Sequence, residues 1–177
     1  MKPSNWLAVR LYGWFELCLL KRAPQDDPLS PAALWFAGLA YLVTDLVIAA
    51  VGSGMRAATA MTAIDMVVLL AFTYMLLRIS GRPGRLGQTL TALFGSGALL
   101  GLFALPLVQQ AAKAQHNGEA VGGLALMWLL LVVWSVVVRA HIFRHALSLG
   151  FGAGALVAVL HAVLLFGLID YLFPRVS

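Results

Sequence analysis

The sequence predicts an all-α fold: an integral membrane bundle of five transmembrane helices, preceded by an amphipathic interfacial helix. Three observations predict it. Of 177 residues, 62% are hydrophobic and 11% charged, and the mean hydropathy is +0.92; soluble domains carry roughly 25% charged residues. Five stretches reach the roughly 20 apolar residues that cross a ~30 Å hydrocarbon core: 32–52, 58–78, 88–108, 123–143 and 149–172. The breaks between them carry turn residues or charge: Gly52-Ser53-Gly54, GRPGR (Gly81 to Arg85), QQAAKAQHNGE (Gln109 to Glu119) and RAHIFRH (Arg139 to His145). No stretch remains for a soluble domain. The chain therefore divides into residues 1–30, the interfacial helix and a proline-rich link, and residues 31–177, the five-helix domain.

The first element is NWLAVRLYGWFELCLLKR (Asn5 to Arg22). Trp6, Val9, Tyr12 or Gly13, Leu17 and Leu20 recur at helical spacing, and Arg10, Glu16 and Lys21 add charge. Amphipathic rings with flanking bases suit a helix in the headgroup plane; a helix packed on cytoplasmic loops fits the same pattern. Arg10 and Glu16 interrupt the apolar run, and Lys21-Arg22 stands where a cleavage site would have small residues, so the segment does not read as a cleaved signal peptide. Pro24, Pro28 and Pro31 impose an extended link. Ser30-Pro31 then opens the first span, a capping hydroxyl followed by proline at the first helical position.

The first two spans each carry a carboxylate, Asp45 and Asp65. Counted from opposite ends, Asp45 lies about 20 Å into its helix and Asp65 about 10 Å. The two should sit at similar height in the outer half of the bilayer. Thr44, Thr59 and Thr62 add hydroxyls there, Arg56 lies in the connecting turn, and Asp170 near the outer end of the fifth span can face the same region. A pair of close carboxylates disfavours double ionisation, which suits a proton or cation relay. Protonated Asp can equally hold helices together by hydrogen bonding, with Arg56 neutralising one of them.

In the third span, Gly97 and Gly101 form GALLG, and Pro106 is expected to end or kink the helix. Gly150 and Gly154 form GFGAG at the start of the fifth, continued by Ala158 and Ala162. Small residues at this spacing let helix backbones approach, within the chain or against another subunit. RAHIFRH places His141 and His145 on one helix face. An HxxxH pair can supply two metal ligands, but no Cys or Glu completes a set, so no metal is assigned. With Arg139 and Arg144 interleaved, the stretch reads as a patch for lipid phosphate or an acidic partner. His161 lies near the middle of the fifth span, bonded to a neighbour inside the bundle or part of a proton path with the aspartates.

Orientation follows from the bases. Lys2, Arg10, Lys21, Arg22, Arg78, Arg82, Arg85, Arg139 and Arg144 fall on one side; Arg56, Lys113 and Arg175 fall on the other. The positive-inside rule puts the N-terminus in the cytoplasm and the C-terminus outside. Cys18 is the single cysteine, so no intrachain disulfide can form. There is no GxSxG, Walker loop or HExxH, and no basic tract interleaved with aromatics, so catalysis, cofactors and nucleic acid are not expected.

The amphipathic start, the lead-in RAPQDDPLSPAALW (Arg22 to Trp35) and five spans in a short chain resemble small bacterial membrane proteins of Yip1-domain type. The resemblance implies a polytopic, non-enzymatic protein with an assembly role, and no functional residue is carried over from it. The sequence therefore points first to an accessory or scaffold protein of the inner membrane, in contact with lipid and with a membrane-protein partner or its own copies. A proton- or cation-coupled transport component using Asp45 and Asp65 is the alternative. A membrane enzyme acting on lipid phosphate ranks third.

Overall fold

The computed structural model describes residues 3–118, 120 and 122–174. Lys2 and Arg175, two of the bases used for orientation, and the loop residue Glu119 lie outside them. Six α-helices follow in order: α1 Pro3–Cys18, α2 Pro31–Ser53, α3 Met55–Ile79, α4 Leu86–His116, α5 Gly122–Leu147 and α6 Phe151–Leu172. The last five are long and apolar enough to cross a membrane, making this a multi-pass membrane protein.

Local signals set most boundaries as expected. Ser30 caps α2, its hydroxyl accepting from the Ala33 N–H at 3.3 Å, with Pro31 at the first position. Gly54 at φ 74° turns the chain directly from α2 into α3. At the basic end α3 closes through Gly81 at φ 70°, with the Arg82 N–H returning to the Leu77 carbonyl at 2.8 Å. The same closure ends α1 at Leu20 (φ 61°) and α5 at Ser148 (φ 52°), residues that carry a Cβ in a left-handed conformation.

Two boundaries differ from expectation. Pro106 does not end the third span: α4 continues through it to His116, carried by the helix-forming run QQAAKA. RAHIFRH does not divide spans either. It is the last part of α5, with His141, Ile142, Phe143, Ala146 and Leu147 buried.

That stretch is buried by its neighbours α3, α4 and α6, with Phe72 of α3 edge-on to Phe143 at 6.0 Å, and by α1 and the link, which fold over the basic end of the bundle. Trp14 is 1% exposed, stacks on Phe36 with centroids 5.7 Å apart, and lies flat against Gly95 of α4. Any side chain at 95 would strike the indole, so glycine is required there. The Trp134 indole N–H donates to the Cys18 carbonyl at 3.1 Å. Asp27 binds the link back on α1, 2.7 Å from Arg22 and 3.5 Å from Arg10, while Arg22 also reaches Glu16 at 3.3 Å. The buried face of α1 is thus Arg10, Gly13, Trp14, Leu17 and Cys18, whereas Val9 and Tyr12 are exposed. The sequence pattern was displaced by about one residue because Arg10 turns inward to Asp27. Cys18 is buried, and desolvation pushes its thiol up to about 11.

The membrane helices meet through glycines. Gly97 and Gly101 of α4 admit Tyr41 and Thr44 of α2; a Cβ at either would stand 2.5 Å from those side chains. Gly154 of α6 crosses α5 so closely that a Cβ would lie 2.6 Å from the Ala140 carbonyl oxygen. Gly150 faces open space.

A backbone oxygen cannot move aside as a side-chain tip can. Gly154→Ala should therefore destabilise the protein by about 1–3 kcal/mol and lower its melting temperature in detergent, while Gly167→Ala, inside α6 with nothing within 4 Å, should not lower it and should raise it slightly. Equal melting of the two variants would contradict the close α5–α6 crossing.

Candidate functional site

Both carboxylates turn inward. Asp65 on α3 is 5% exposed and accepts a hydrogen bond from the Tyr41 phenol of α2 at 2.6 Å. Tyr41 is four residues before Asp45, on the same face of α2. Its ring is held against Phe94 at 5.5 Å. Asp45, half-buried, is electrostatically coupled to Asp65 and has the Thr62 hydroxyl as a neighbour. In this arrangement Thr62 Oγ1 is buried and makes no hydrogen bond of standard geometry.

Arg139 is the third member. It stands two turns inside α5 and acts electrostatically on Tyr41, Asp45 and Asp65 together. Its Nη1 also lies 3.2 Å from His161 Nδ1 on α6. An arginine can only donate, so Nδ1 accepts and the His161 proton belongs on Nε2, which is buried without a partner. His161 is fully buried, with Phe72 packed edge-on at 5.1 Å.

Tyr41, Asp45, Asp65 and Arg139 line a cavity of about 300 Å³ between the five membrane helices, and His161 and Thr62 stand behind that lining. Tyr41, Asp45, Asp65, Ser135 and Arg139 supply its polar wall; leucines, Trp128 and Phe166 supply much of the rest. Measured along the helices from the basic end, Arg139 and His161 lie about 12–15 Å in and the aspartates about 21 Å. A guanidinium and an imidazole thus stand one layer below two carboxylates.

The expected neighbours of the aspartates partly change. Arg56 is exposed in the first turn of α3, and among the described residues no ion pair joins it to Asp45 or Asp65. Asp170 is exposed and points away, although its neighbour Ile169 lines the cavity. Thr59 is exposed and bonds its own helix at the Met55 carbonyl.

The patch of Arg139, His141, Arg144 and His145 is divided. Arg139 belongs to the cavity. His141 is 4% exposed and donates from Nε2 to the Arg22 carbonyl at 2.9 Å. His145 packs on His141 with centroids 4.6 Å apart and lies 3.1 Å from Arg144, which covers Phe151 at 5.8 Å. The Gln25 amide donates to the His145 carbonyl at 2.8 Å, and Arg82 and Arg85 donate to the last carbonyls of α5. This end of α5 is a docking point for the chain's own link and loops. Among the described residues no three metal-ligating side chains gather.

Tyr41 and the cavity role of Arg139 were missed from sequence. The four-residue step from Tyr41 to Asp45 was a usable signal. Compared with protein-family models, curated proteins and solved structures, the chain matches none, and the site is read from its own geometry.

Removing the phenol donor while keeping the ring should cost about 1–3 kcal/mol. Tyr41→Phe is therefore expected to lower stability in detergent, and the double variant with Asp65→Asn should show coupling of about 1 kcal/mol. Strictly additive effects would mean that the bond contributes nothing.

Proposed function

We propose that this chain is a multi-pass protein of a bacterial inner membrane that handles protons or cations through Asp45 and Asp65, with the N-terminus cytoplasmic and the C-terminus outside. One observation carries the reading: two carboxylates, a phenol and a guanidinium from α2, α3 and α5 line one intramembrane cavity, with the guanidinium backed by an imidazole on α6. Ionisable groups at this depth are costly in lipid and mark ion or substrate paths by default. The scaffold role moves to second place. Gly97, Gly101 and Gly154, the faces that suggested contact with a partner, are filled within the chain, so a partner or second copy would have to use other surfaces. Catalysis on lipid phosphate is not proposed, because its four supposed residues serve other contacts. The Yip1-type resemblance fits the helical layout and remains part of this reading.

Orientation draws support from the bundle itself. The link at Arg22, the turn at Arg82 and Arg85, and the end of α5 are joined by hydrogen bonds at one end, which the positive-inside rule assigns to the cytoplasm. Exposed Leu7, Leu11 and Phe15 on α1 suit contact with lipid at that interface.

In proteoliposomes the protein should conduct protons or a monovalent cation down an imposed gradient. Asp45→Asn and Asp65→Asn should each reduce that flux about tenfold or more, and the exposed Asp170→Asn should not. Absence of flux, or flux indifferent to both cavity aspartates, would remove the reading.

For orientation, Gly84→Cys and His116→Cys would be labelled with an impermeant maleimide in a Cys18→Ser background. Residue 116 should react in intact spheroplasts and residue 84 only in inverted vesicles; the opposite pattern would reverse the topology. The wild-type Cys18 should react slowly near neutral pH, since its thiolate is disfavoured well above pH 9.

A further inference from the structure

Resting on the cation-handling reading above, we propose that the cavity takes a small organic monocation, an ammonium group on an apolar body, in preference to a bare metal ion or an anion. Charge is the first ground. Two carboxylates and one guanidinium face the cavity, and that guanidinium also contacts His161. The guanidinium offsets one carboxylate, and a further positive charge can take the place of the proton that the second would otherwise hold, whereas an anion would meet both carboxylates in a low-dielectric site.

Oxygen supply is the second. Hard metal ions take about six or more oxygen ligands. In this cavity the Thr44, Ser96 and Ser135 hydroxyls donate to carbonyls of their own helices at 2.7–2.8 Å, which holds each oxygen close to its own backbone while leaving it able to accept. One Asp65 oxygen already accepts from Tyr41. All five membrane helices are continuous, so no unwound segment contributes carbonyls as in ion-coupled carriers with broken helices. An ammonium group needs far fewer acceptors, and Asp45 with the other oxygen of Asp65 meets that need. Thr62 adds a buried hydroxyl, 5% exposed, beside Asp45.

Shape is the third. A volume of about 300 Å³ is many times that of a dehydrated ion and reaches the range of small-molecule pockets, roughly 300–1,000 Å³. Its apolar wall suits a hydrocarbon body, and Trp128 and Phe166 offer ring faces to a cation. Trp128 also lines a second hollow of about 590 Å³ between the far ends of α4 and α5, together with Leu107, Ala111, Gln115 and Leu124. It is the one residue the two spaces share. Trp128 thus stands between the cavity and the hollow at the end remote from the basic loops.

Three probes of one shape and three charges test this: radiolabelled benzylammonium, benzyl alcohol and benzoate, in equilibrium dialysis against the purified protein in detergent, with protein-free micelles as blank. Benzylammonium should bind saturably and about tenfold or more tighter than the other two. Binding should weaken about tenfold in Asp45→Asn, persist in Asp45→Glu, weaken in Trp128→Ala, and resist displacement by excess Na⁺ or K⁺. Equal binding of all three probes would overturn the proposal by reducing the site to an apolar hollow. Aspartate-dependent flux without benzylammonium binding, or ready displacement by Na⁺ or K⁺, would overturn the organic class and leave the cation-handling reading standing. Loss of both flux and binding would remove both. The charge series on the unmodified protein needs no variant, so a folding defect in one substitution cannot decide the matter.

Discussion

A charge held inside hydrocarbon must be matched by the protein around it, and Arg139 is where that matching turns. It stands about 12 Å from the basic end of α5, too deep to be a simple flanking base. From there it acts on Asp45, Asp65 and Tyr41 on one side and on His161 on the other. Each of those residues would be a costly intruder in its own helix. Together they form a group in which α2, α3, α5 and α6 are bound to a common centre. Breaking such a group by removing one partner leaves uncompensated charge behind, which is why its members are mutually dependent.

The centre can form only because the helices approach closely elsewhere. Gly97 and Gly101 let α4 receive Tyr41 and Thr44, fixing the face of α2 that carries Asp45. Gly154 draws α6 onto α5 beside Ala140, one residue from Arg139, and so brings His161 into range. Burial is concentrated in the same half of the bundle: residues 89–96 of α4 and 140–143 of α5 are buried, whereas 126–130 of α5 are exposed. The basic half is a clamp. The other half, held less closely, leaves room for the cavity.

What was legible in the sequence was what depends on short range. Five apolar runs, the Ser30-Pro31 cap and the turn at Gly54 are local facts, and the structure bears them out. The facing of Asp45 and Asp65 was also readable, because a tight turn between antiparallel helices fixes relative height by counting. Arg139 was not readable in the same way. Its depth depends on where α5 ends, and that end is set by α1, Gln25, Arg82 and Arg85 docking on it from far along the chain. Placing the end at 143 instead of Leu147 moves an interior charge to the rim. Pro106 does not end its helix because the residues that follow are strong helix formers and sustain α4 despite the roughly 3 kcal/mol that a proline costs inside a helix.

The same reasoning separates a working site from structural glue. Polar groups that serve only to hold helices together are best satisfied by packing directly on one another, since a close-packed interior gains dispersion at every contact. Tyr41 and Asp65 are arranged that way. Asp45 is not: it fronts the cavity, half-buried, beside the Thr62 hydroxyl. Arg139 contacts the imidazole on α6 while facing the carboxylates across open volume. A cluster optimised for stability alone would have closed that gap with a methyl-bearing side chain on α5 or α6. On the proposed reading, the gap keeps one carboxylate available to something that enters, and a carboxylate available within a membrane favours positive charge.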